Sequence, residues 1–165
     1  MNFKIKIKII MSTNTQLVEA LDDLVKINHD RVKGYDTASQ DIEKYDIDLK
    51  LVFSKMASQS RENITELNQT ITKLGGKSDN DSSLSGAIHR AWIDVKALFT
   101  GNDRIAILNS CEFGEDAILK SYDAALASST EIDAETRQII TSQRSSLKTS
   151  HDAIKKYRDL NKAIA

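Results

Sequence analysis

Proline is missing from this 165-residue sequence, although an average usage of about 5% would give roughly eight. Proline disrupts helix interiors because it lacks the backbone N–H and its ring clashes with the preceding turn. Aromatic residues make up only 5% of the chain and charged residues 28%. This composition is typical of helices that pack along aliphatic stripes and carry salt-bridged outer faces, whereas a β-sandwich would need more aromatics and turns. The sequence therefore predicts an all-α protein with long, uninterrupted helices.

Cysteine, net charge and long apolar runs are also scarce. Cys111 is the only cysteine, so no intrachain disulfide can form and a reducing cytoplasm is the expected location. No apolar run approaches the roughly 20 residues that a membrane-spanning helix needs. The formal charge is −1, from 23 basic and 24 acidic side chains, which gives no overall field to attract nucleic acid. We therefore expect a cytoplasmic protein with no membrane span and no nucleic-acid partner.

The length of the chain is that of one domain. Its first residues have a different pattern from the rest. In residues 1–11, Phe3 and isoleucines alternate with three lysines, which is the period-two pattern of a strand. We interpret this segment as an N-terminal extension that is either loose or precedes the true start at Met11. Residues 12–165 are then a single helical-bundle domain. The alternative is a basic strand that contacts a membrane surface or a partner.

In the first half of the body, apolar residues recur every three or four positions, as on one face of a helix. One such stripe extends over about residues 15–44 and is interrupted by Asn28. A second predicts a helix over about residues 46–74. It stops at Gly75-Gly76, where a glycine can adopt the left-handed conformation that closes a helix.

The second half predicts three more helices. A third, shorter helix is expected over residues 84–99, a fourth over about residues 103–127, and a fifth after residues 128–133. The third helix is too short to pack along the full length of the other four. Tight turns on both sides of it would leave the second and fourth helices parallel, as in ferritin-like folds. The sequence thus predicts an all-α, ferritin-like four-helix bundle with a short additional crossover helix. A plain five-helix antiparallel bundle is the alternative.

Two carboxylates of the fourth helix, Glu112 and Glu115, lie on or beside its apolar stripe. Because an unpaired buried carboxylate is strongly destabilising, each must meet a cation, a metal, a proton or a water channel. One interpretation is a carboxylate-bridged metal site formed by Glu112, Glu115 and His151. The other is a buried network of salt bridges and tyrosine hydroxyls, with a cation from one of three arginines: Arg90, Arg137 or Arg144.

The histidine positions bear on the choice between these two interpretations. Ferritin-like di-metal sites use a Glu from each of two helices and a Glu-x-x-His from each of the other two. No Glu-x-x-His occurs in this sequence, since the residues three positions before His29, His89 and His151 are two lysines and a glycine. On the first helix, Asn28 occupies the stripe position where a ligand would be expected, and an amide is a poor ligand for iron. We therefore favour a metal-free polar core, and the only cofactor that we consider is a divalent metal.

Several short motifs occur in a fixed order along the chain. They are Gly75-Gly76, His89-Arg90-Ala91-Trp92, Glu112-Phe113-Gly114-Glu115-Asp116, Tyr122, Gln143, His151-Asp152 and Arg158-Asp159. Together they resemble a bacterial family of ferritin-like four-helix-bundle proteins that is catalogued as a domain of unknown function. The resemblance covers about residues 15–159.

The resemblance implies a bacterial ferritin-like bundle with no established reaction, ligand or partner. Loose links between related bundles and stress responses imply a protective or structural role. The recurring polar positions of the family map here onto His89, Arg90, Glu112, Glu115, Asp116, Gln143, His151 and Asp152. Together with Asn28, these residues are expected to form one polar core network.

Two functional hypotheses follow from these observations. The first is a non-enzymatic bundle with a structural or stress-associated role, which self-associates as a homo-oligomer through spare apolar positions such as Val18, Val25, Ile27 and Leu51. The second is a ferritin-like protein that binds iron or another divalent metal at Glu112, Glu115 and His151.

Overall fold

The computed structural model describes residues 2–42, 46–78, 104–128 and 130–165. Nearly all of these residues belong to four helices. The helices are α1 (Phe3–Asp41), α2 (Ile47–Lys73), α3 (Arg104–Ala127) and α4 (Ala134–Ile164). The predicted short helix over residues 84–99 lies outside the described residues.

Helix α2 ends at the position that Gly75-Gly76 predicts. Gly75 has a φ of +80°, the left-handed conformation that glycine adopts without a Cβ clash. The next residue folds back, and the Gly76 N–H donates to the Ile71 carbonyl at 2.9 Å. A Cβ atom on Gly76 would lie 2.6 and 2.7 Å from the two methyl groups of Val18. The second glycine therefore lets the turn pack directly against α1.

The start of α4 is fixed by a capping residue. Asp133 has an extended backbone, and its side chain accepts a hydrogen bond from the Thr136 N–H at 2.9 Å. This bond satisfies one of the N–H groups that a helix start leaves without a partner. Glu135, in the first turn, adds a negative charge near the positive end of the helix dipole.

The first residues of α1 differ from their sequence-based interpretation. The alternating pattern of residues 1–11 suggested a strand or a loose extension, whereas α1 begins at Phe3 and continues without a break to Asp41. Asn2 caps this start by accepting a bond from the Lys4 N–H. Adding a turn to an existing helix requires no new nucleation, whereas a lone strand needs partner strands to pair with. The strand prediction is therefore wrong.

The relative directions of the helices follow from pairs of contacts near the middle of the bundle. Asn28 of α1 contacts Asn63 of α2, and Arg31, one turn later in α1, contacts the earlier Ser60. Helices α1 and α2 are therefore antiparallel. On the other side of α1, the same two residues contact Tyr122 and Glu115 of α3, again in reverse order. It follows that α2 and α3 are parallel, as predicted.

The core consists of two apolar clusters with polar residues between them. One cluster, at the end where α1 finishes, includes Tyr35, Phe53, Leu108 and Ile154. The other cluster, towards the opposite end, is formed by twelve buried residues: Leu17, Leu21, Leu24, Val25, Ile27, Leu67, Ile71, Ile118, Leu119, Tyr122, Ile140 and Leu147. Along each helix, buried polar side chains separate the two clusters. This polar layer contains the candidate site.

Two positions that were expected to remain free for self-association lie in the core instead. Val25 and Ile27 are fully buried, because α1 contacts both α2 and α3 and so buries more than one stripe. Val18 is half-buried, whereas Leu51 is exposed. Across the described residues, no helix has a stretch long and apolar enough to span a bilayer.

Candidate functional site

The Arg31 guanidinium lies at the centre of the polar layer, between α1, α2 and α3. Its Nε donates to Glu115 Oε1 at 2.7 Å, and both side chains are completely buried. Its Nη1 lies 2.9 to 3.0 Å from three acceptors on α2, namely the Met56 carbonyl, Gln59 Oε1 and Ser60 Oγ. One buried cation thus connects three helices. Gln59 extends the contact to α4 by accepting from the Ser150 hydroxyl at 2.9 Å.

Tyr35 completes the surroundings of this ion pair. Its hydroxyl donates to Glu115 Oε1 at 2.5 Å, so the same carboxylate oxygen receives two hydrogen bonds. The Arg31 Cζ lies 5.2 Å from the centroid of the Tyr35 ring, which is within cation–π range. The second carboxylate oxygen, Glu115 Oε2, is buried and has no hydrogen-bond partner among the described residues.

Burial and charge together fix the protonation of the groups in this layer. Burial disfavours the phenolate and raises the pKa of Tyr35 well above its ordinary value, and Glu115 adds to that effect. For Arg31, burial alone would lower the pKa, but Glu115 and neighbouring tyrosines outweigh it and raise the pKa. Burial also raises the pKa of the Cys111 thiol, and Glu115 contributes in the same direction. At neutral pH the arginine is charged and the phenol and thiol are protonated.

A second buried chain of hydrogen bonds lies one turn away. Asn28 Nδ2 donates to the Tyr122 hydroxyl oxygen at 2.8 Å, and that hydroxyl donates to Gln143 Oε1 at 2.7 Å. Gln143 Nε2 then donates to Glu66 Oε2 at 2.7 Å. Burial raises the pKa of Tyr122, so its hydroxyl remains protonated and can act as both acceptor and donor. The chain links all four helices and reaches the surface groove between α2 and α4, where Glu66 lies.

A third set of polar contacts joins α3 to α4 near the surface. Glu112 forms an ion pair with Arg158. His151 Nε2 lies 2.9 Å from Asp116 Oδ1, and its Nδ1 lies 3.0 Å from Asp152 Oδ1. Asp116 and Asp152 are both exposed. The Glu112–Arg158 and His151–Asp116 contacts hold the two helices together at the bundle surface, whereas the His151–Asp152 contact lies within α4.

The structure distributes the predicted site residues over these three sets. Asn28, Glu115 and Gln143 lie in the buried layer. The others that the structure describes lie outside it: Glu112 and His151 at the boundary, Asp116 and Asp152 at the surface. The seven described members therefore do not all lie in one buried network. His89 and Arg90 lie outside the described residues.

The sequence-based interpretation missed the central cation. Arg137 and Arg144 were candidates to pair with Glu115, but Arg137 is exposed and Arg144, which is half-buried, pairs with Asp123. The partner is Arg31, which lies three residues after Asn28 and four before Tyr35 on the same helix. This spacing places all three side chains on one face.

Together, the antiparallel and parallel pairing of the four helices and the polar layer at mid-height define a ferritin-like bundle. The model of the family described as a domain of unknown function (DUF2383) matches residues 16–128, more than half of the chain. The chain therefore belongs to this family. A search of curated proteins gives no match.

A solved structure supports the same fold. The chain is similar to the bacterioferritin-related protein from Bacteroides fragilis, which is described as a dodecameric thioferritin. The two chains share 16% identity with a TM-score of 0.74, and the match covers 97% of this chain and 96% of the other. The predicted ferritin-like fold and the predicted family are both confirmed.

A ferritin-like fold implies a di-metal centre among carboxylates and histidines at mid-height. The residues of this layer do not fit such a centre. Among the described residues, Glu115 is the only carboxylate of this layer with zero exposure, and a permanently charged guanidinium, which would repel a divalent cation, lies 2.7 Å from it. Within the described ranges, no group of three or more His, Cys, Asp and Glu side chains could hold a metal ion. The tentative set Glu112, Glu115 and His151 is divided among three separate partners: Arg158, Arg31 and Asp116.

Proposed function

We propose that this chain is a non-enzymatic, ferritin-like bundle of the bacterial cytoplasm with a structural or stress-associated role, in which an ion pair takes the place of a metal centre. The observation that carries the proposal is the buried pair between Arg31 Nε and Glu115 Oε1 at 2.7 Å. This pair lies where a ferritin-like protein would hold its metal ligands.

The chemistry of the polar layer supports this proposal. Catalysis by metal or by acid and base needs groups that accept a ligand or exchange a proton near neutral pH. Here Arg31 is held in its charged state, and the raised pKa values of Tyr35 and Tyr122 keep both phenols protonated. Such groups link helices through fixed hydrogen bonds. The layer thus acts as a set of cross-links that defines the helix register.

Self-association is the second part of the proposal. Two large apolar side chains at the start of α2, Ile47 and Leu51, are exposed, and so are Leu160 and Ile164 near the end of α4. Gln59 and the later Glu66 of α2 contact Ser150 and the earlier Gln143 of α4, so the two helices are antiparallel. Both pairs therefore lie at the same end of the bundle. The similar Bacteroides fragilis protein is described as dodecameric. We therefore expect a homo-oligomer, and sedimentation velocity of Leu51→Glu should show a smaller species than the unmodified chain.

Elemental analysis tests the metal-free core against the metal-binding alternative. The chain is purified from cells grown in iron-rich medium, together with Glu115→Gln and, as a matched control, Glu62→Gln on the exposed surface of α2. We expect no stoichiometric metal in any of the three proteins. Metal at one or two ions per chain, lost in Glu115→Gln and retained in the control, would show that the core binds metal.

A further inference from the structure

The first turns of α1 form an arm whose described side chains are almost all exposed. Leu17 is the first of the described side chains of α1 that is buried, and the arm comprises residues 3–16, about 21 Å of helix at 1.5 Å per residue. Every described side chain in the arm is exposed except Asn14, which is half-buried. The turn that ends α2 contacts α1 at Val18, after the arm. The arm therefore lies beyond the end of α2.

The arm combines exposed apolar side chains with a one-sided charge. Phe3 is 77% exposed and Met11 66%, and Ile7 lies between them at four-residue spacing. On a helix this spacing forms one apolar line. Three of the 23 basic residues of the chain lie in the arm as lysines, whereas all 24 acidic residues lie outside it. The arm is a basic, partly apolar helix on an otherwise acidic protein.

We propose that this arm binds the surface of membranes that contain anionic phospholipids. Lysine side chains can extend their ammonium groups to lipid phosphates while their aliphatic stems cover the apolar boundary. Exposed apolar side chains enter the interface between headgroups and acyl chains. Helices that lie in this interface usually combine such apolar side chains with lysines. The helix would lie in the plane of the membrane, with the bundle outside it.

Two features favour a lipid surface over a second copy of the chain. Apolar side chains lie on more than one side of the arm, because Ile5, which is also exposed, does not share the line of Phe3 and Ile7. A protein groove would have to match that arrangement atom by atom, whereas a fluid lipid surface adapts to it. The absence of acidic residues also removes the repulsion that would weaken binding to phosphates.

Vesicle co-sedimentation tests the proposal with the full chain. The probes are vesicles of phosphatidylglycerol mixed with phosphatidylcholine and vesicles of phosphatidylcholine alone. The main variant replaces the lysines of the arm (Lys4→Gln, Lys6→Gln, Lys8→Gln). A matched control replaces three exposed lysines of α4: Lys155→Gln, Lys156→Gln and Lys162→Gln. Both variants lose the same charge, and the affected side chains are exposed, so circular dichroism should show an unchanged fold.

We expect the full chain and the α4 control to bind the phosphatidylglycerol vesicles, and pure phosphatidylcholine vesicles to bind much less. Each lysine near an anionic membrane contributes about fivefold to affinity, so the arm variant should bind roughly a hundredfold more weakly. Phe3→Ser combined with Ile7→Ser should also weaken binding by about tenfold or more.

Three results would overturn the proposal. The first is no binding of the full chain to phosphatidylglycerol vesicles. The second is equal weakening by the arm variant and the α4 control, which would indicate attraction by overall charge. The third is a change of oligomer size in the arm variant without a change in vesicle binding, which would assign the arm to contacts with a second copy.

Discussion

Arg31 and Glu115 form the central cross-link of the bundle, with Nε and Oε1 2.7 Å apart and both side chains at zero exposure. Removing two charges from water is costly, and the cost is recovered only where geometry and further hydrogen bonds are good. Arg31 has those further bonds on α2, and Glu115 has one from Tyr35. The pair is therefore expected to be sensitive to the loss of either partner and tolerant of the loss of both.

Arg31→Met should lower the free energy of unfolding by about 3–5 kcal/mol, because it leaves the Glu115 carboxylate buried without its cation. The double variant Arg31→Met, Glu115→Leu should be more stable than Arg31→Met alone, since neither charge of the pair remains. Chemical denaturation followed by circular dichroism measures all three proteins. Arg144→Met with Asp123→Leu, a surface pair, is the control and should change stability by less than about 1 kcal/mol. A double variant as unstable as Arg31→Met would contradict this account.

Most of the fold was predictable because its signals are local. Gly75-Gly76 and Asp133 mark helix ends through backbone conformation and capping, which depend on a few adjacent residues. The buried layer depends on contacts between distant segments. Glu115 needed a cation, but only the packing of three helices identifies Arg31 as that cation. The alternating pattern before Met11 was misleading, since the same residues can continue an existing helix.

Alkaline pH should destabilise the protein through its two buried tyrosines. Burial raises the pKa values of Tyr35 and Tyr122 in the folded state. In the unfolded chain both phenols ionise near their ordinary pKa of about 10. The stabilisation linked to these groups is complete below that pH and is lost as pH rises towards the folded pKa values, by about 1.4 kcal/mol per pH unit for each group.

This pH dependence can be assigned to the buried phenols by substitution. Tyr35→Phe should make the decline of unfolding free energy above pH of about 10 shallower. The slope of the unmodified chain is the reference. Denaturant titrations at a series of pH values measure both slopes. The same slope in Tyr35→Phe and the unmodified chain would show that Tyr35 ionises equally in both states.

Gly76→Ala should destabilise the junction between α1 and the end of α2. The new Cβ would lie within 2.7 Å of both Val18 methyl groups, closer than carbon atoms can approach. The neighbours must shift, at a cost of about 1–3 kcal/mol. Adding Val18→Ala removes those methyl groups, so the double variant should recover part of the loss. Additive losses in thermal or chemical denaturation would mean that the Val18 contact does not limit this position.

The Asp133 carboxylate should stabilise α4 at neutral pH, and this stabilisation should be lost in acid. Hydrogen bonds from Thr136, first among them that of its backbone N–H, lower the pKa of the Asp133 carboxyl below its ordinary value. The stabilisation is complete above the ordinary aspartate pKa of about 3.9 and is lost as pH falls through the folded pKa. Asp133→Ala should therefore cost about 1 kcal/mol at neutral pH, and its unfolding free energy should converge with that of the unmodified chain in strong acid. Asp159→Ala, near the other end of α4, is a control that removes a carboxylate without removing a capping bond. If the unfolding free energies of Asp133→Ala and the unmodified chain differ by the same amount at every pH, the Asp133 charge contributes nothing to the cap.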